Sequence, residues 1–472
     1  MILVVPQRSR TKAWAILVIL LVLGVVGGLS YLGWRQSVPA VRASLQAPRF
    51  LGHNTAFTVI LEAARGSLRR SEVRVVQGDK PVTVATVEGA GRARVELPVT
   101  IESAKLGLKE GDATLQVWGS DDFWRPLDMK DTALLSQPVT IDLTAPRVEV
   151  LSSTRYVSPG GAVMIAFRAA DATRIDVSVG PKAFPSFPYG PPDRGARVAL
   201  IALPYDFAPG TPLAVTARDE AGNVSTRTVP AELKPRPFPR DTITITEAFL
   251  QAKVPELLPQ RAPSQPLIEG FLTINRDQRR QAEQEKLRIG TRTADRPLWA
   301  GAFVQPRNTK VFSNFAETRT YLYQGRPVDT QVHVGFDLAS TKQSPVPAAN
   351  AGQVAFAGPL TIYGNTVILD HGLGLQTLYA HLSTIAVKEG DAVTKGQELG
   401  RSGTTGLAVG DHLHFEVLVS GVSVTPIEWW DGRWIRDRVN KPLKDAGLPE
   451  ILGLGAVPAE PASPSRPARR SR

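Results

Sequence analysis

At 472 residues the chain is too long for one compact core, and length alone implies about three domains of ~150 residues; its net charge of +11 favours anionic partners. With 43% hydrophobic and 21% charged residues it has a globular mix, and 38 prolines with 40 glycines favour short strands and turns over long helices. The lack of cysteine excludes disulfides, thiol nucleophiles, cysteine-based zinc sites and acylated lipoprotein anchors, so any metal must be held by His, Asp or Glu.

Residues 13–34 carry no charge and are enough to cross a hydrocarbon core as a helix. Arg8, Arg10 and Lys12 precede the run and Arg35 follows it, which predicts a cytoplasmic N-terminus and an exported C-terminal part. Trp14 at one end and Tyr31 and Trp34 at the other suit interfacial anchors. A signal peptide cut near Ala40 or Ala43 is the alternative, and the length of the run favours an anchor.

Residues 37–145 read as short alternating strands, such as 72–76 (EVRVV) and 113–117 (ATLQV), and so as a β-sandwich-like domain. Residues 146–233 repeat the pattern at 147–151 (RVEVL), 162–166 (AVMIA) and 213–217 (LAVTA). Leu115, Val117 and Asp121 share their spacing with Leu213, Val215 and Asp219, which suggests a weak internal repeat. Through 144–146 (TAP) and 218–223 (RDEAGN), the second region resembles bacterial immunoglobulin-like modules. Spacers holding a distal domain off the membrane are the simplest role for both.

Residues 234–297 form a Pro-rich linker with two expected helices. One begins near Thr246, and the other runs from Asn275, as a cap, to about Arg288. The second is highly charged and reads first as a solvated helix, with a lid or a docking arm as alternatives. Residues 441–472 are expected to be a disordered basic tail.

The six histidines are His53, His333, His371, His381, His412 and His414. The segment 333–337 (HVGFD), within an expected strand 331–339, would put His333 and Asp337 on one face with Gly335 leaving room between them. In 411–417 (DHLHFEV), His412, His414 and Glu416 share the other strand face from Leu413, Phe415 and Val417. His381 closes an apolar strand at 379–383 (YAHLS). A catalytic zinc takes three protein ligands and leaves a position for water; His, Asp and His satisfy that pattern, with further histidines free for proton handling.

Together with 364–372 (GNTVILDHG), 378–382 (LYAHL), 387–393 (VKEGDAV) and 403–406 (GTTG), these segments resemble the LytM/lysostaphin-type zinc metallopeptidases over about residues 300–430. With the readings above, a mainly β chain is expected: a cytoplasmic stub and membrane anchor at 1–36, two sandwich-like domains and a short helical linker, to which the resemblance adds an antiparallel β peptidase domain at 298–440. The resemblance implies one zinc per chain on His333, Asp337 and His414, with His381 and His412 as the unligated catalytic pair. It also implies hydrolysis of peptide cross-links in peptidoglycan, and the N-terminal anchor with the lack of cysteine fits a periplasmic position on a bacterial inner membrane. Envelope or division proteins are further candidate partners, and nucleic acid is not expected. A non-catalytic activator of a wall amidase and an envelope scaffold are the competing readings. His371 reads as a structural loop residue. Arg319, Tyr321 and Tyr323, just before the first ligand, are candidates for holding a substrate carbonyl or for packing. Glu416 could support a ligand histidine or be solvated.

Overall fold

The computed structural model describes residues 10–46, 48–88, 91–127 and 132–451. The described residues form two compact units, one comprising residues up to 146 with 218–224, the other 147–217 with 225 onward.

In the first unit, helix Arg10–Ser37 contains Trp14–Ser37, a stretch of mean hydropathy 2.6, long and apolar enough to cross a membrane. The strands after it make a three-stranded and a five-stranded sheet. Alternation sets which face is buried. In Arg94–Glu102 every second residue, Val95, Leu97, Val99 and Ile101, turns inward. Val73, Val75, Leu115 and Val117 of the five-stranded sheet join the same core.

The second unit begins with two four-stranded sheets built from residues 147–217 and 225–228. Their inner residues, such as Ile165 and Val215, share one hydrophobic core with Tyr379, Phe415 and Trp429 further along the chain. Residues 441–451, expected to be disordered, depart from that expectation. They carry helix Lys441–Asp445 and bury Leu443 and Ile451 in this core. The rest of the expected tail, 452–472, lies outside the described residues.

An eight-stranded antiparallel sheet organises the C-terminal part. Its central strands, Leu375–Leu382 and Leu413–Val419, are buried at every position. That requires cover on both faces. Tyr379, Phe415 and Val417 face the core shared with the four-stranded sheets. Leu378, Ala380 and Leu418 face a second core built with Phe271, Ile274, Ala282 and Ile289.

Those last four residues come from the linker, so the solvated-helix reading is corrected. The helical run extends from Leu267 to Gly290, through a π-helical turn at Ile274–Gln278. Asn275 is not a cap. It lies inside that turn, fully buried, and its side chain donates to Asp329 at 2.8 Å. Ala282, Lys286 and Ile289 recur at helical spacing and form the buried face. Thr246 does cap the shorter helix Glu247–Leu257, its hydroxyl accepting from the Phe249 amide.

The linker also holds a strand that the sequence reading passed over. Arg240–Ile245 pairs in parallel with Glu317–Tyr323, which pairs antiparallel with Arg326–His333. Its alternation of Thr and Ile was the available signal.

Candidate metal centre

Three strands bring the expected ligands together. His333 ends strand Arg326–His333 of the three-stranded sheet. Asp337 lies in Phe336–Ala339 and His414 in Leu413–Val419, directly opposite each other in the eight-stranded sheet. The single strand expected over 331–339 is therefore broken, and it changes sheets at Val334 and Gly335. Gly335 does make room, but for another strand's side chain. A Cβ there would lie 2.7 Å from the His414 ring.

The donor atoms converge. His333 Nε2 lies 3.0 Å from Asp337 Oδ1 and 3.0 Å from His414 Nδ1, and His414 Nδ1 lies 2.9 Å from Asp337 Oδ1. Outer partners assign the tautomers. His333 Nδ1–H donates to the Asn314 carbonyl at 2.9 Å, and His414 Nε2–H donates to Glu416 Oε1 at 2.9 Å. Both inner nitrogens then carry lone pairs aimed at a carboxylate oxygen. Three acceptors cannot satisfy one another, whereas a cation between them satisfies all three. Their separations approach the ~3.3 Å edge of a tetrahedron with bonds of ~2.0–2.1 Å, so the set fits one zinc. Among the described residues this is the one group of three metal-binding side chains that converges so.

The charges around the group agree. Burial pushes the Asp337 carboxyl up, but the His333, His412 and His414 rings outweigh it and hold it well below the usual carboxylate range. Burial also pushes Glu416 up, and Lys286 and His414 reverse it, leaving this carboxyl well below its ordinary value too. The imidazole of His381 is held well below its ordinary value, first by burial and then by its histidine neighbours.

His381 and His412 stand beside the ligands with ring centroids 4.8 Å apart, and His381 lies 5.8 Å from His414. His381 Nδ1–H donates to the Thr405 carbonyl at 2.8 Å and His412 Nδ1–H to the Gly410 carbonyl at 2.7 Å. His381 then keeps Nε2 as an acceptor, while His412 Nε2 lies 3.5 Å from Asp337 Oδ1, the oxygen that also faces His333 and His414. His381 also holds a left-handed backbone, φ 60°, which costs a non-glycine residue about 1–3 kcal/mol and is tolerated where the surroundings fix it.

The remaining candidates divide clearly. Arg319 is committed to the ligand carboxylate: Nη2 donates to Asp337 Oδ2 at 2.8 Å and Nε to Glu317 Oε1 at 3.0 Å. Tyr321 is buried against Phe271, and the Tyr323 hydroxyl meets Glu247. Glu416 is the partner of His414 and is fully buried, which excludes the solvated reading. His371 is fully buried between the Ala351 carbonyl and the Thr377 hydroxyl. The sequence reading missed Lys286, whose ammonium reaches Glu416 Oε2 at 2.9 Å from the linker helix.

The histidines open into a cleft of about 660 Å³. Its far wall is made by the linker, through Ile243, Ile245, Phe249 and Phe271. A mainly β domain with a buried His/Asp/His cluster that fits one zinc, and two further histidines in the same cleft, is suited to metal-assisted hydrolysis. The match to known sequences specifies it further: residues 331–426 fit the model of peptidase family M23, so the chain carries an M23 domain of the LytM/lysostaphin type.

Among curated proteins, the chain is 40% identical over 97 residues to the DD-carboxypeptidase/endopeptidase Mpg of Neisseria meningitidis, covering 21% of this chain and 22% of that protein. It is 37% identical over 121 residues to the peptidoglycan DD-endopeptidase ShyA of Vibrio cholerae, covering 25% and 27%. To the murein hydrolase activator NlpD of Salmonella dublin it is 27% identical over 189 residues, covering 40% and 45%. The chain thus spans less than half the length of each of these relatives. Among solved structures, the catalytic domain of lysostaphin from Staphylococcus simulans is 30% identical, with 26% of this chain and 92% of that one covered and a TM-score of 0.23.

Proposed function

We propose that the chain is a zinc-dependent endopeptidase that hydrolyses peptide cross-links in bacterial peptidoglycan. The observation that carries this reading is the complete constellation: three lone-pair donors converging on one point, with two unligated histidines in the same cleft. Zinc bound by His333, Asp337 and His414 would supply Lewis acidity and lower the pKa of a water towards ~7. The chain's own part is proton handling. His412 and His381, each with Nδ1 held by a backbone carbonyl, take the proton released as a nucleophile forms and return one to the leaving amine. Once an Nε2 has taken that proton, its imidazolium N–H can donate to a developing oxyanion.

Peptidoglycan as substrate is supported by the name of the relative ShyA, a peptidoglycan DD-endopeptidase. The apolar N-terminal helix supports anchoring in an inner membrane, with the basic residues before it favouring a periplasmic position for the rest. The similarity to NlpD favours a second reading, activation of another wall hydrolase. An intact ligand set favours catalysis.

The test uses the full chain, purified in detergent and incubated with purified peptidoglycan with and without a chelator. Released muropeptides are identified by mass spectrometry. Chelator-sensitive scission of a peptide bond is the expected result. A zinc-loaded chain that releases no fragment but stimulates an amidase would replace this reading with the activator.

A further inference from the structure

Lys286 is fully buried, although it belongs to the linker helix and lies outside the residues that match the M23 family. Its ammonium meets Glu416 Oε2 and the Tyr363 hydroxyl at 2.9 Å each, Glu283 Oε1 at 2.8 Å and Ser423 Oγ at 3.2 Å. Glu416 is also fully buried, and its other oxygen accepts from the ligand histidine His414. The linker cation and the metal-site imidazole are thus joined through one carboxylate.

The surroundings hold this chain of contacts in place. Gly290 sits against the hairpin turn at Ser420 and Gly421, where a Cβ would lie 2.4 Å from the Gly421 nitrogen. Only a bare backbone allows the helix to approach so closely. Ala282 and Ile289 flank Lys286 on the buried face. Tyr363, which touches both Lys286 and Glu283, packs its ring 5.2 Å from that of His414.

A buried carboxylate without a cation is strongly unfavourable, and a carboxylate behind a metal-binding histidine fixes its ring and raises its basicity. We propose that Lys286 is a positioning residue of the zinc site: as the counter-ion of Glu416, it sets the orientation and ligand strength of His414 from outside the peptidase domain. This inference rests on the zinc-site reading of His333, Asp337 and His414, and it makes the linker helix part of the metal centre.

The test is the zinc affinity of the full chain, measured by chelator competition at matched folded fraction, with the visible spectrum of the cobalt-loaded protein as a second readout. Lys286→Met is expected to weaken zinc about tenfold to a hundredfold, the range for lost outer partners of metal ligands, and to shift the cobalt spectrum. The double variant Lys286→Met/Glu416→Gln buries no unpaired charge and decides the matter if the single variant does not fold. It is expected to fold and still bind zinc about tenfold more weakly, because an amide supports the imidazole less than a carboxylate. An ion pair that merely fastens the helix would change melting temperature and leave zinc affinity alone. Folded variants binding zinc within about twofold of the wild type would overturn the proposal. A wild-type chain binding no zinc would remove the zinc-site reading itself, a result distinguishable from equal binding by all three proteins.

Discussion

Arg319 Nη2 lies 2.8 Å from Asp337 Oδ2, the oxygen that Asp337 turns away from His333 and His414. One carboxylate therefore faces the metal position with one oxygen and a guanidinium with the other. The same arginine holds Glu317 through Nε, so two buried acids share one cation. Arg319→Ala would leave both without it, at a cost of about 3 kcal/mol or more. Lysine cannot serve two carboxylates from one planar fork, so Arg319→Lys should recover little. The expected outcome is a chain with a lower melting temperature and weaker zinc binding. Unchanged values for both would show that Arg319 is dispensable to Asp337.

The ligand and proton-handling roles separate by measurement. His414→Ala removes a donor from the convergent set and should abolish stoichiometric zinc. His412→Ala should retain one zinc while turnover on peptidoglycan falls by about 10²–10⁴-fold, the usual worth of a positioned acid or base. Metal content by mass spectrometry, paired with muropeptide release, checks both. A His412→Ala chain that cuts at the wild-type rate would refute the assignment.

His371 predicts a pH dependence of stability. Burial lowers its pKa from 6.5 to about 4, partly opposed by its contact with the Ala351 carbonyl. A histidine that binds its proton less readily when folded than when unfolded contributes stability above pH ~6.5, and that contribution is lost as pH falls towards ~4. The size is on the order of 3 kcal/mol. His371→Gln does not titrate, so its denaturation midpoint should vary less between pH 7 and pH 4. Curves of equal slope for both proteins would show that His371 does not carry this dependence.

The site was legible because its chemistry is local in sequence. His412 and His414 declare themselves by spacing, and Gly372 and Gly374 after His371 mark a tight turn. Gly335 leaves room on its strand face as its residue type implies, but that room is filled by a ring 79 residues further on, which no local pattern shows. The chain break at Val334 was hidden because alternation continues across it, and only pairing partners reveal the change of sheet. Lys286 was hidden by its type. A lysine in a highly charged helix predicts solvent, and its burial depends on a carboxylate at residue 416 and on two glycines at 290 and 421. The solvated-helix expectation failed for that reason.

The same packing predicts what a minimal peptidase fragment would do. Residues 296–440 contain the three proposed ligands with His381 and His412, and include the whole domain that sequence alone recommends, 298–440. Cutting there removes Phe271, Ile274, Ala282 and Ile289 from the sheet face that carries Ile368, Leu378, Ala380 and Leu418. Each large apolar side chain re-exposed costs ~1.5–3 kcal/mol, against a net stability of ~5–15 kcal/mol for an ordinary domain. The cut also strips Lys286 from Glu416, leaving a buried carboxylate behind His414 without its cation. Such a fragment should bind a hydrophobic dye, lack a cooperative melt and hold zinc poorly, while a fragment starting at residue 147, which keeps both the linker and the four-stranded sheets that share the core, should melt cooperatively and hold zinc. A cooperative, zinc-loaded 296–440 fragment would show that the linker covers the sheet without sustaining it.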